Sequence, residues 1–210
     1  MEKLKGKFIT FEGVEGAGKS TQSKLLVDYL NKNNIFTEWT REPGGSTSAE
    51  EIRKLLVNGN VNKWASITEL LLMYASRREH TEKKIKPLLK KGITVISDRY
   101  FDSTIAYQGY GYQLDINKIE KIKDIVLEDF KPDMTFILDL DVIEGLKRTD
   151  IRGEKNRYEN MKIDFHKKVR DGFLKLAEKE KKRIKLINVL NKSIEEIHKE
   201  IINILQKSFL

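Results

Sequence analysis

Residues 13–20 read Gly-Val-Glu-Gly-Ala-Gly-Lys-Ser, the pattern G-x-x-x-x-G-K-S. The chemistry that this spacing serves is the binding of nucleotide phosphates. Gly13, Gly16 and Gly18 let the backbone turn tightly, so that its N–H groups can wrap a phosphate chain. A helix starting at the end of the octet points its positive end at the same anion. Lys19 can then reach the β- and γ-phosphates, and the Ser20 hydroxyl can ligate Mg2+. The alternative is a glycine-rich structural turn. The apolar run at 7–12 before the octet and the helical pattern after it favour the phosphate loop.

A second group of chemically active residues stands at 98–108, Asp-Arg-Tyr-Phe-Asp-Ser-Thr-Ile-Ala-Tyr-Gln, directly after the apolar stretch Val95-Ile96. Asp98, at the end of a buried strand, is placed to hold Mg2+ through water and so complete the site begun by Ser20. Arg99 can bind phosphate with its planar fork. The competing reading is a buried Asp–Arg ion pair that ties strand to loop. With a phosphate loop earlier in the chain, the functional reading is preferred.

These groups need elements to hold them. Apolar runs at Phe8–Glu12, Phe36–Thr40, Thr94–Ser97, Thr135–Leu140 and Ile184–Asn188 predict five strands, with 3.6-period stretches between them. Such alternation predicts an α/β fold, a parallel sheet with helices on both faces. Ligands then bind beyond the C-terminal ends of the strands, at or near which Glu12, Arg41, Asp98 and Asp139 fall. Capping-box spacing starts helices at Ser66-Ile-Thr-Glu69 and Ser193-Ile-Glu-Glu196. Ile194, Ile197, Ile201 and Ile204 form one core-facing stripe, and Phe165, Val169, Phe173 and Leu176 another. With no repeat and no Pro/Gly/Ser linker, residues 1–210 read as a single domain.

Bulk properties narrow the classes. The chain has 210 residues, 39% hydrophobic and 34% charged, enough for one domain with a real core. It lacks cysteine, which excludes disulfides and thiolate metal sites and agrees with a reducing compartment. No run approaches the ~18 apolar residues of a membrane span. The first strand follows the N-terminus at once, which leaves no room for a signal peptide, so the expectation is a cytoplasmic protein. The net charge of +8 suits anionic ligands, but the lysines are spread without interleaved aromatics, so no nucleic-acid partner is expected. His80, His166 and His198 stand apart at no metal-ligand spacing and receive no role.

Four blocks, in order and spacing along nearly the whole chain, resemble the thymidylate kinases. They are Phe11-Glu-Gly-Val-Glu-Gly-Ala-Gly-Lys-Ser-Thr21, Thr40-Arg-Glu-Pro-Gly-Gly45, the 98–108 segment and Arg152-Gly-Glu. The resemblance implies a three-layer P-loop NTPase fold with a five-stranded parallel sheet and a short lid at about 150–158. It implies transfer of the γ-phosphoryl of ATP to dTMP, with Mg2+, in a homodimer formed through the helix around 66–84. That helix carries more apolar residues, Ile67 and Leu70 to Ala75 among them, than one core face uses.

The same resemblance assigns residues. ATP would be held by Gly13, Gly16, Ala17, Gly18, Lys19, Ser20, Thr21 and Arg148, the last stacking on adenine. Glu15 would accept a hydrogen bond from the deoxyribose 3′-hydroxyl, which accounts for a carboxylate among phosphates. Arg41 and Pro43 would flank the dTMP phosphate, with Arg99 acting on it. Arg77 would donate to a thymine carbonyl, which disfavours the amino group of cytosine. Thr104 and Gln108 would add base contacts, and Tyr107 would crowd C2′ or serve only in packing. The family's stacking Phe is replaced by Met73, so either Met73 covers the base or Tyr74 takes that role. Because Gly16 stands where one branch carries an arginine, the catalytic arginine is assigned to the lid, Arg152 first and Arg157 second. Two alternatives remain: another monophosphate kinase on this fold, and a nucleotide-gated switch, against which stands the lack of a guanine-reading Asn-Lys-x-Asp.

Overall fold

Every predicted strand is present within about a residue of its expected bounds: β1 Phe8–Gly13, β2 Thr37–Arg41, β3 Thr94–Asp98, β4 Met134–Asp139 and β5 Ile184–Asn188. The structure, a computed structural model, describes residues 6–153 and 157–209. The strands form one parallel sheet in the order β2-β3-β1-β4-β5. Order reverses beside β1, and the crevice at such a switch point is where open α/β sheets bind ligands.

The central strand explains the layers. Every residue of β1 is buried, so both of its faces must be covered. Phe8 meets the Tyr100 ring edge-on at 4.9 Å, while Phe11 meets Phe136 at 5.3 Å on the opposite face. Helix α1 (Lys19–Lys32) packs on β1, β2 and β3 and against α9 (Ile194–Phe209), and α8 (Ile163–Lys179) packs on β1, β4 and β5. Phe165, Val169, Phe173 and Leu176 are all buried, as their stripe predicts. On α9, Ile197 and Ile201 are buried, but Ile194 lies half exposed at the first turn.

Of the two expected capping boxes, one forms. Ser193 N donates to Glu196 at 2.7 Å, and Glu196 N donates to the Ser193 hydroxyl at 3.2 Å. The other does not. Helix α3 (Ser66–His80) is capped by Ala65, and Glu69 turns inward to a buried ion pair with Arg157. The pattern of 66–84 continues past His80 as a π-helical segment, Thr81–Ile85, and α4 (Lys86–Lys90). Helix α2 (Thr47–Val57) packs on α3. After β3 come a single turn, α5 (Phe101–Thr104), and a π-helical stretch, Ile105–Gly111. Helices α6 (Ile116–Leu127) and α7 (Val142–Arg152) start at Asp115 and Asp141, whose carboxylates accept from backbone N–H groups of the first turn.

Candidate active site

The octet is the link between β1 and α1, and its backbone explains two of its glycines. Gly13 has φ +133° and Gly16 φ +71°, in a region that side chains disfavour. A Cβ on Gly13 would lie 2.3 Å from the Leu138 carbonyl oxygen, and one on Gly16 only 2.2 Å from that of Gly145. The loop is thus pressed against β4 and α7, and an arginine in place of Gly16 has no room.

Lys19 is buried at the start of α1 and donates to the Val14 carbonyl oxygen at 2.7 Å. Burial lowers its pKa to about 8, with Arg99 adding to the shift and Glu15, Asp98 and Glu12 opposing it. Ser20, in the first turn, donates to the Asp98 carboxylate at the end of β3. Phosphate loop and second motif therefore meet where the sequence places a metal. A hydroxyl and a carboxylate are hard oxygen donors, and two protein ligands leave the remaining positions to water and phosphate, as Mg2+ favours. The donor set fits that ion.

Arg99 occupies the centre. It adopts φ +72°, a left-handed conformation unusual for a residue with a side chain, and Ser97 Oγ donates to its carbonyl oxygen at 2.7 Å. Its guanidinium donates to Glu15 Oε1 and the Tyr107 hydroxyl, each at 3.0 Å, and to Ser103 Oγ and the Gly13 carbonyl oxygen. Tyr107 in turn donates to Glu15 at 2.8 Å. Burial by itself would raise the pKa of Glu15, but Arg99, Lys19 and the Tyr107 hydroxyl outweigh it and hold the carboxylate at about 2. Burial likewise opposes the charge of Arg99, and Glu15 and Tyr107 more than restore it, shifting the arginine upward. Both groups are charged at neutral pH. Tyr107 serves packing as well, since its ring meets Tyr158, Phe165 and Phe173 edge-on.

One open cleft of about 840 Å³ joins most of the predicted set, though Gly13 and Ala17 lie behind its wall. It is lined by Glu15, Gly16, Gly18, Lys19, Ser20, Thr21, Arg41, Pro43, Met73, Arg77, Asp98, Arg99, Thr104, Tyr107, Gln108 and Arg148. Arg41, half exposed, ends β2 and pairs with Glu50 at 3.4 Å. Arg77 lies nearly inaccessible on α3, donating to Glu42 at 2.6 Å, Thr104 at 2.8 Å and the Tyr100 carbonyl oxygen at 3.1 Å. Met73, one helical turn before it, reaches the cleft. Tyr74 does not: it is buried beneath Arg77, whose guanidinium stacks 5.0 Å from its ring. One residue along a helix turns a side chain by about 100°, which separates these neighbours. Gln108 donates to Glu69 at 2.7 Å.

The arginines assigned in the expected lid or just before it separate into three cases. Arg148 lines the cleft from α7. Arg152 is the last residue of α7, and its side chain lies outside the described residues, as do residues 154–156 of the lid. Arg157 is placed away from the cleft. It is buried, paired with Glu69, and donates to the Leu56 and Val61 carbonyl oxygens, each at 3.0 Å. This is a correction to its reading as a lid arginine: with those donors engaged inside the fold, its charge is spent on Glu69.

Several cleft residues have no sequence assignment. Arg53 enters from α2 and donates to the Pro43 carbonyl oxygen at 2.7 Å. Trp39 and Lys24 line one side, with the ammonium 5.0 Å from the indole. Glu12 does not line the cleft; it lies fully buried behind it and accepts from Tyr100 N at 2.7 Å and from Ser103. Burial, with Asp102 nearby, raises it to about 8. Its place at a strand end is a signal; Arg53 and Lys24 sit on helices with no motif to mark them.

A family model described as thymidylate kinase matches residues 11–201. A thymidylate kinase of Ruthia magnifica is 45% identical over 202 residues, 96% of this chain and 98% of its own. One of Wolbachia pipientis is 47% identical over 201 residues, 93% of this chain and 98% of its own. The crystal structure of a thymidylate kinase from Ehrlichia chaffeensis superposes with a TM-score of 0.78 at 40% identity, covering 96% of this chain and 99% of that one.

Proposed function

The chain belongs to the thymidylate kinase family, and from that premise we propose how its cleft brings ATP and dTMP together. The reaction is transfer of the γ-phosphoryl of ATP to dTMP, giving dTDP and ADP. What carries the reading is the union in one cleft of a phosphate loop with a second set of anion and base contacts. A hydrolase or switch needs only the first.

Two anions must meet with little covalent help from the protein, so positioning and charge neutralisation do the work. Glycine-loop N–H groups and Lys19 hold the donor phosphates, and Thr21 and Arg148 take the rest of ATP. Bound phosphate restores the full charge of Lys19, because an anion favours the protonated amine. Ser20 and Asp98 would hold Mg2+, the aspartate through water, and the ion would supply positive charge against the donor phosphates. Arg99 sits between the two halves and attends the dTMP phosphate together with Arg41, beside Pro43. Glu15, fully ionised, accepts from the 3′-hydroxyl while Tyr107 closes off C2′. Met73 covers the thymine, and Arg77, Thr104 and Gln108 read its edge. Arg152 supplies the transition-state charge from a lid at about 150–158, since Arg157 is committed to Glu69 and a side chain at Gly16 would strike α7.

The chain works as one kinase domain and pairs with a second copy through α3, where Ile67 and Leu71 stand exposed one turn apart. Leu71→Glu should leave monomers in sedimentation velocity; an unchanged dimer would move the interface elsewhere. Among the described residues no helix is long and apolar enough to cross a membrane. The nucleotide substrates agree with a cytoplasmic enzyme. The deciding experiment is ADP formation from Mg·ATP with dTMP, dUMP, dCMP, dGMP and AMP supplied separately. A strong preference for dTMP is expected. Equal turnover of several acceptors would overturn the base assignments, and turnover of none would overturn the kinase reading.

A further inference from the structure

His80 has no place in the chemistry above, yet it is completely buried and both ring nitrogens are partnered. Its Nδ1 lies 2.9 Å from Glu42 Oε1, and its Nε2 lies 2.6 Å from Thr40 Oγ1. The other oxygen of Glu42 accepts from Arg77 Nε at 2.6 Å. Thr40, Glu42, His80 and Arg77 thus form one buried hydrogen-bonded chain. It runs from the end of β2 to the arginine on α3 that lines the cleft. Glu42 is anchored by its backbone too, its N–H donating to the Asp98 carbonyl oxygen at 2.9 Å.

The geometry of Arg77 gives this chain a consequence. A guanidinium has five N–H donors in a fixed plane. Three go to Glu42, Thr104 and the Tyr100 carbonyl oxygen, leaving two that the protein does not occupy in this set. Where those two point is decided by the plane, and of the three partners that hold the plane Glu42 is the charged one. A carboxylate gripped at one oxygen can still rotate about its last torsion; gripped at both, it cannot. His80 supplies the second grip. Its ring also lies against the acceptor-side turn, since a Cβ on Gly45 would sit 2.4 Å from His80 Nε2. One imidazole therefore touches both the support of Arg77 and the turn that carries Arg41 and Pro43.

We propose that His80 is a positioning residue for acceptor selection: through Glu42 it fixes the plane in which Arg77 meets the base of the acceptor nucleotide. The inference rests on the reading that Arg77 faces that base. His80 touches no substrate and takes no part in phosphoryl transfer.

Steady-state kinetics with each substrate varied test it, on His80→Gln, His80→Asn, Arg77→Ala and the double variant His80→Gln/Arg77→Ala. Asn places an N–H near the position of Nδ1, and Gln near that of Nε2. His80→Gln should raise the dTMP KM about tenfold, within the range of coupled neighbouring residues, and leave the ATP KM unchanged. His80→Asn, which keeps the donor to Glu42 and loses only the Thr40 partner, should raise the dTMP KM about threefold, well short of His80→Gln. Adding His80→Gln to Arg77→Ala should raise the dTMP KM no further. An unchanged dTMP KM in folded His80→Gln, an ATP KM that rises equally, or additivity in the double variant would each overturn the proposal. If Arg77→Ala itself leaves the dTMP KM unchanged, it is the placement of Arg77 against the base that fails. Should His80→Gln not fold, Thr40→Val removes only the hydroxyl on Nε2; it should raise the dTMP KM about threefold and spare that for ATP, and no rise would count against the proposal.

Discussion

The two halves of the cleft are built in opposite ways. The proposed donor half is one stretch of eight residues, and Gly13 and Gly16 are there because neighbouring backbone leaves no room for a Cβ. The proposed acceptor half is made of side chains from β2 and the turn after it, α2, α3, the link after β3, α5 and the π-helical stretch that follows, already bonded to one another in the free protein, with Glu15 of the octet among their partners. Arg77 lies on Glu42 and Thr104, Arg99 on Glu15 and Tyr107, and Gln108 on Glu69. A backbone cradle serves any nucleoside triphosphate. Pre-bonded side chains cost binding energy unless the incoming ligand offers the right partners, which is how a site rejects the wrong base.

If that contrast holds, variants on the two sides should differ in which kinetic constant they move. Lys19→Ala, on the donor side, should lower kcat/KM by at least about 100-fold, or about 2.7 kcal/mol, because it removes charge from the β- and γ-phosphates. Turnover equal to the parent would remove Lys19 from the reaction. Next comes Arg152→Ala, which should cut kcat by about tenfold or more while the ATP KM changes less, as befits a group used in the transition state. A change confined to the ATP KM would make Arg152 a binding residue and break its assignment.

A pH series sharpens the donor side further. Lys19 in the free protein titrates near 8, below its ordinary 10.5, and bound phosphates favour its protonated form. The free enzyme therefore loses the proton first, so ATP binding takes one up as pH rises past 8. Above that point the ATP Kd should weaken by up to about tenfold per pH unit, and Lys19→Met should abolish the dependence. Calorimetry in buffers of different ionisation enthalpy reads the proton directly; no uptake between pH 8 and 9 would contradict the depressed pKa. The smallest effect belongs to the acceptor side. Met73→Phe should raise the preference for dTMP over dCMP by a few fold, roughly the 0.5–1.5 kcal/mol of an added aromatic contact. A loss of preference would mean that the thioether fits this cleft better than a ring.

The same contrast governs what could be read in advance. Strand bounds, the phosphate loop and the Asp98-Arg99 block are local patterns, and they fall where their periodicity and spacing place them. Arg157 and Glu69 show the limit. Read locally, one is a lid arginine and the other the end of a capping box; in the fold they form a buried ion pair 88 residues apart in sequence. Arg53 and Glu42 enter the site by the packing of α2 and by a turn against β3, and His80 stands behind it on the inward face of a helix. Arg53 and His80 carry no motif of their own, and Glu42, though inside the 40–45 block, has no role assigned to it there.

By itself the sequence determined the α/β alternation and the octet, because these rest on short-range geometry: period, turn chemistry and the reach of one loop; the family came from the resemblance of four blocks spread along the chain. Only the tertiary structure decided that Met73 and not Tyr74 faces the cleft, that Arg157 is withdrawn to Glu69, and that His80 stands behind Arg77. Those outcomes depend on which distant groups share a buried space. There a charge or a polar hydrogen must find a partner at once, and the partner is chosen by packing rather than by neighbours in the chain.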